Sequence, residues 1–154
     1  MAATADPSTI EHEVHVDAPP EVVFPYFTDP ELLCRWQGTE ATLEAHAGGA
    51  YRVVIGAGNV ARGEFVEVDA PHRVVFTWGW EGEGHSLPPG STRVEVDLRP
   101  EGAGTIVRLR HSGLEGVWAE RHAEGWDRVL PRLAIAATGG DPDQVAPNPE
   151  QSGA

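Results

Sequence analysis

The feature that most constrains this chain is a run of short alternating strands that ends in one long amphipathic helix. In Thr92-Arg93-Val94-Glu95-Val96-Asp97-Leu98-Arg99 the alternation is strict, with Val94, Val96 and Leu98 on one face and charged residues on the other. The sheet holding this strand therefore has one dry and one wet face. Thr105, Val107, Leu109 and His111 oppose Ile106, Arg108 and Arg110 in the same manner, so the two segments read as a hairpin. A sheet with one apolar face needs a cover. Residues 118–137 supply it: Trp126, Leu130, Leu133 and Ala137, helped by Val129, recur at helical spacing, and Pro131 should bend that helix. Sheet plus covering helix is an α+β layer arrangement with a cleft between the layers.

The remaining strands follow from periodicity and punctuation. Residues 10–16 alternate well enough for a first strand, and residues 40–45, 50–55, 60–68, 73–80, 91–99 and 104–111 form the later ones. Gly48-Gly49, Gly56-Ala57-Gly58-Asn59, Pro88-Pro89-Gly90 and Pro100-Glu101-Gly102 separate them. The stretch from Gly63 to Trp78 places two β-type runs either side of Asp69-Ala70-Pro71-His72, a turn in which Asp bonds its own backbone and Pro presets φ. Within it Phe65 and Glu67 share one face while Val66 and Val68 share the other, a conflict that a β-bulge near Val66 would resolve. Which face is inward is open at this level. After the first strand, Val22, Val23, Phe24 and Phe27 suit a short helix that Pro25 should kink or shorten, and Asp29-Pro30-Glu31 opens a second.

Composition narrows the function classes. A chain of 154 residues fits one domain with one core, here expected over residues 9–138 between disordered tails at 1–8 and 139–154. The formal net charge of −13 repels a phosphate backbone, so nucleic acid and anionic membrane are not expected partners. All 11 basic residues are Arg, which excludes lysine-nucleophile and Schiff-base chemistry. The start of the chain shows neither a basic nor an apolar leader segment, and the lone Cys34 agrees with a reducing compartment, so a cytoplasmic location is expected.

Several local signatures occur together. They are Ala18-Pro19-Pro20-Glu21-Val22-Val23-Phe24, then Asp29-Pro30-Glu31-Leu32-Leu33-Cys34-Arg35-Trp36, then Gly48-Gly49-Ala50-Tyr51-Arg52, then the hairpin ending in Thr77-Trp78. Gly104 to Leu114 follows, and Glu124-Gly125-Trp126 with Leu130 and Leu133 closes the series. With this element order the segment from Glu11 to about Ala137 resembles the START-like, or SRPBCC, superfamily, in the branch similar to the C-terminal domain of the Hsp90 activator Aha1. The resemblance implies the helix-grip fold: a curved antiparallel β-sheet wrapped around a long C-terminal helix, with two short helices after the first strand. It also implies a cavity between sheet and helix. With the aromatic inventory, the leading expectation is that this cavity binds a small, largely hydrophobic ligand without catalysis. A polyketide cyclase or aromatase-like enzyme and an Hsp90-type chaperone-interacting module are the alternatives, and a homodimer is a further option.

Candidate cavity residues are Trp36, Tyr51, Phe65, Glu67, Phe76, Trp78, His111, His122, Trp126 and Leu130. Large aromatics make both cores and ligand walls, and Trp80 and Trp118, near loops, suit a cavity mouth. Tyr51, His111 and Glu67 are the groups that acid–base chemistry would use, and an inward Glu67 would have to be protonated or paired, with Arg52 or Arg35 as partner. Tyr26 is the other phenol that could orient a ligand carbonyl. The seven His residues lack metal-ligand spacing, so neither metal nor cofactor is expected, and Cys34 reads as a small buried hydrophobe. Gly56-Ala57-Gly58 sits in a hairpin, not before a helix, and fails as a phosphate loop.

Overall fold

The computed structural model describes residues 9–56, 59–82, 87–114 and 116–142. The tail expected at 1–8 and the part of the tail expected at 139–154 that follows residue 142 lie outside this set, as do Ala57, Gly58 and His85. Seven strands form one antiparallel sheet: β1 (Ile10–Val16), β2 (Glu40–Leu43), β3 (Ala50–Gly56), β4 (Asn59–Asp69), β5 (Arg73–Trp78), β6 (Thr92–Glu101) and β7 (Gly104–Ser112). Their order is β1-β7-β6-β5-β4-β3-β2, so every neighbour but β1 is also a neighbour in sequence. The strict alternation of β6 does what its pattern requires: Val94 and Val96 are wholly buried opposite His111 and Leu109 of β7, while Arg93 and Arg99 face water.

Three helical turns follow β1 where two short helices were expected: α1 (Pro20–Val23), α2 (Pro25–Thr28) and α3 (Pro30–Leu33). Each begins with a proline, which lacks the N–H that continuation of the preceding helix would need. The Asp29 carboxylate caps α3, accepting from the backbone N–H of Glu31 at 2.9 Å and of Leu32 at 3.4 Å.

The conflict in β4 is resolved by a bulge. Phe65 pairs with Phe76 and Glu67 with Val75, leaving Val66 as the extra residue. Phe65 is buried, Val68 packs on the core, and Glu67 is turned to the outer face. There Glu67 pairs with Arg73, which also holds Glu95 and Asp97, and not with Arg52 or Arg35. At Gly63 a Cβ would lie 2.0 Å from the Thr77 carbonyl oxygen, so only glycine allows the two strands to approach this closely.

Helix α4 (Val117–Ala136) lies across the apolar face as one 20-residue element that continues through Pro131. Polar clamps set its position. Trp126 Nε1 donates to His111 on β7, Asp127 pairs with His12 on β1, and Tyr26 Oη donates to the Ala136 carbonyl. The Arg132 Nε donates to the Trp36 carbonyl. Beyond the helix Gly139, at φ 90°, and Gly140, whose N–H reaches Ile135 O at 2.9 Å, close the C-terminal turn. Among the described residues no helix is long and apolar enough to cross a membrane.

Candidate ligand cavity

Sheet and helix do not meet over their whole length. A cavity of about 800 Å³ opens between α4, the end of β3 and the turn joining α3 to β2. All five tryptophans of the chain line it. Trp36, Trp78 and Trp126 are buried and form its inner wall, while Trp80 and Trp118 are half-buried toward the opening. They arrive from three different places in the chain. Trp78 and Trp80 sit two residues apart at the end of β5, Trp118 and Trp126 are on α4, and Trp36 follows α3. Trp78 centres the group, with its ring 5.4 Å from Trp80 and 5.5 Å from Trp126.

Of the residues expected in the cavity, Trp36, Trp78, His122 and Trp126 line it. Tyr51, Phe65, Phe76, His111 and Leu130 pack behind that wall instead. Tyr51 stacks on Phe76 at 4.1 Å and meets Phe65 edge-on at 5.6 Å, so this part of the layer space is filled by rings. Burial pushes the Tyr51 phenol well above its usual range. Glu67 is on the opposite face of the sheet because of the bulge at Val66. The acid–base set of Tyr51, His111 and Glu67 thus does not converge in the cavity. Tyr26 is likewise committed, donating to Ala136, and burial raises the Cys34 thiol. Among the described residues no three His, Cys, Asp or Glu side chains gather as a metal site would need.

Two histidines tie the tryptophans into a polar network. Trp126 Nε1 lies 3.1 Å from His111 Nδ1, and an indole nitrogen only donates, so Nδ1 is the bare nitrogen. His111 Nε2–H then donates to Thr92 Oγ1 at 2.8 Å, and the Thr92 hydroxyl donates to the Trp78 carbonyl at 2.7 Å. His122 is the opposite tautomer. Its Nε2 accepts from Trp80 Nε1 at 3.1 Å, and its Nδ1–H donates to the Trp118 carbonyl at 2.8 Å. Burial lowers both imidazole pKa values, and His122 lowers that of His111 further. Both rings are therefore neutral positioning groups for tryptophans, with no spare lone pair on either.

The polar part of the wall escaped the sequence reading. Gln37 is buried, lines the cavity, and its side-chain amide has no hydrogen-bond partner among the described residues. Arg121, Arg128 and Arg132 line the other side from one flank of α4. Their spacing of seven and four residues was the available signal, since it keeps them in phase with Trp118, Gly125 and Val129. Gly125 also faces the cavity, and a Cβ there would meet nothing within 4 Å. Gly125→Ala is accordingly expected to stabilise the protein by about 0.5–1 kcal/mol, the usual helix-interior difference between the two residues. Urea denaturation checks it; a loss of stability would mean that the site has no room for a methyl group.

A curved antiparallel sheet gripping a long C-terminal helix, with an aromatic cavity between them, defines a helix-grip protein of the SRPBCC type. Residues 17–138 match the family model described as Activator of Hsp90 ATPase homolog 1-like protein, and the chain belongs to that family. It is 32% identical over 111 residues to the human activator of 90 kDa heat shock protein ATPase homolog 1, a match covering 71% of this chain and 30% of that protein's length. An AHSA1-like protein from Rhizobium etli, solved in solution, is 43% identical with a TM-score of 0.70, covering 91% of this chain and 89% of the other. CalU16 from Micromonospora echinospora is 28% identical with a TM-score of 0.72, covering 94% and 79% respectively.

Proposed function

We propose that this protein binds a small, largely hydrophobic molecule in the cavity between sheet and helix. The convergence of all five tryptophans on one 800 Å³ space carries this reading. Ligand sites are apolar concavities of roughly 300–1,000 Å³ with a few fixed polar groups, and this one has that size and composition. The histidine network supports it too, because it holds the indoles in one arrangement before any ligand arrives.

The test is titration with N-phenyl-1-naphthylamine, a neutral apolar dye whose emission rises in an apolar site. One dye per chain should bind at micromolar concentration and quench the tryptophan emission. Gly125→Leu, which projects a side chain into the cavity from α4, should weaken binding at least tenfold. Absence of binding, or binding indifferent to Gly125→Leu, overturns the proposal.

A second reading, an Hsp90-type chaperone-interacting module, is supported by the match to the human ATPase activator. It predicts that the purified protein raises the ATPase rate of an Hsp90-type chaperone in direct titration. An unchanged rate would remove it.

A further inference from the structure

The charge on the cavity wall contradicts the charge of the chain. The protein has 24 acidic and 11 basic residues, yet the wall carries three arginines and no Asp or Glu among the described residues. On the sheet most arginines are matched: Arg73 holds three carboxylates, Arg52 and Arg62 share Glu81, Arg93 reaches Glu95, and Arg108 and Arg110 share Glu11. On α4, by contrast, neither Arg121 nor Arg128 has an ion-pair partner among the described residues. The acids of the same helix lie off the cavity wall, and Asp127 is taken by His12.

Arg121 and Gln37 bring polar groups to opposite sides of the cavity. The Arg121 guanidinium lies 5.5 Å above the Trp118 ring, which keeps its planar fork at the cavity edge. Across the cavity Gln37, only 6% exposed, offers an amide with both donor and acceptor and no protein partner among the described residues. The Gln37 amide borders the cavity, so a polar ligand group placed there can pair with it. The indole N–H of Trp78, at the inner wall, is a buried donor without a partner among the described residues.

We propose that the cavity selects an anionic ligand: an aromatic or otherwise apolar body carrying a carboxylate or sulfonate. The body lies among the tryptophans, the anionic group meets Arg121 and Arg128, and a polar substituent bonds Gln37. This rests on the cavity-binding reading above and adds the ligand's charge to it. With a net charge of −13 the molecule as a whole repels anions, so their capture depends on the local arginines.

Two dyes with the same body separate the claims. 1-Anilinonaphthalene-8-sulfonate is N-phenyl-1-naphthylamine plus one sulfonate. Arg121→Gln/Arg128→Gln is expected to weaken the sulfonate dye about tenfold, a change of about 1.4 kcal/mol, while the neutral dye changes less than twofold. Arg121→Lys/Arg128→Lys keeps the charges and should hold the sulfonate dye within about threefold of the original protein. Both arginines are exposed, so the variants should fold, and circular dichroism checks it. If the neutral dye binds and the sulfonate dye does not, or if both weaken equally in the glutamine variant, anion selection is overturned and the cavity reading stands. If neither dye binds the original protein, the cavity reading fails and this inference with it.

Discussion

Trp126→Ala should lower the unfolding free energy by about 3–5 kcal/mol, the range for removing a large aromatic from a packed core. Trp126 is 4% exposed and sits where helix, sheet and cavity meet. Its ring packs on Trp78 at 5.5 Å, and its N–H is the donor that His111 Nδ1 accepts from. The substitution therefore removes apolar contact and also strands a buried acceptor. Trp126→Phe separates the two contributions, because it keeps much of the ring but not the donor. It should cost about 1–3 kcal/mol, the price of one unsatisfied buried polar group. Urea unfolding followed by far-UV circular dichroism measures both. A loss below 1 kcal/mol for Trp126→Ala would mean that α4 is not held to the sheet through this residue.

Stability should also fall steeply on mild acidification. His111 and His122 each use one nitrogen to accept from a tryptophan and the other to donate, so neither can bind a proton without turning an indole N–H away. Their folded-state pKa values are lowered from the ordinary 6.5, chiefly by burial. Between 6.5 and the folded value, the unfolded chain takes up protons that the folded chain refuses. The stabilisation is thus complete above pH 6.5 and is lost as pH falls below it. The slope approaches about 1.4 kcal/mol per pH unit for His111, whose value lies well below 6.5, and His122 adds to it in the same direction. His111→Gln keeps an acceptor for Trp126 and a donor for Thr92 but does not titrate, so it should flatten the dependence by about that amount between pH 6.5 and 5. Equal slopes in the two proteins would show that His111 is protonated within the fold.

Much of the architecture was legible because its signals are local. The period-two alternation of Val94, Val96 and Leu98 is enough to place β6 and its dry face, and Trp126, Leu130 and Leu133 are enough to place the covering helix. The facing of Glu67 was not legible. A bulge adds one residue to a strand without changing its composition, so only the pairing of Phe65 with Phe76 and of Glu67 with Val75 reveals it. His111 was correctly read as inward, but inward proved different from cavity-facing: Trp126 stands between it and the open space.

Residue types and their spacing thus determine that this chain forms a one-faced antiparallel sheet closed by a helix, since both periods are properties of neighbouring residues. They also supply the five tryptophans from which a ligand wall can be built. Where the wall stands depends on tertiary structure alone. Trp36, Trp78 and Trp126 are brought together by contacts between residues more than forty positions apart, and the alignment of α4 on the sheet decides that the rings behind them fill space while those beside Gly125 border it. The same alignment turns the flank bearing Arg121, Arg128 and Arg132 toward Gln37, giving an acidic protein a basic cavity wall that composition does not disclose.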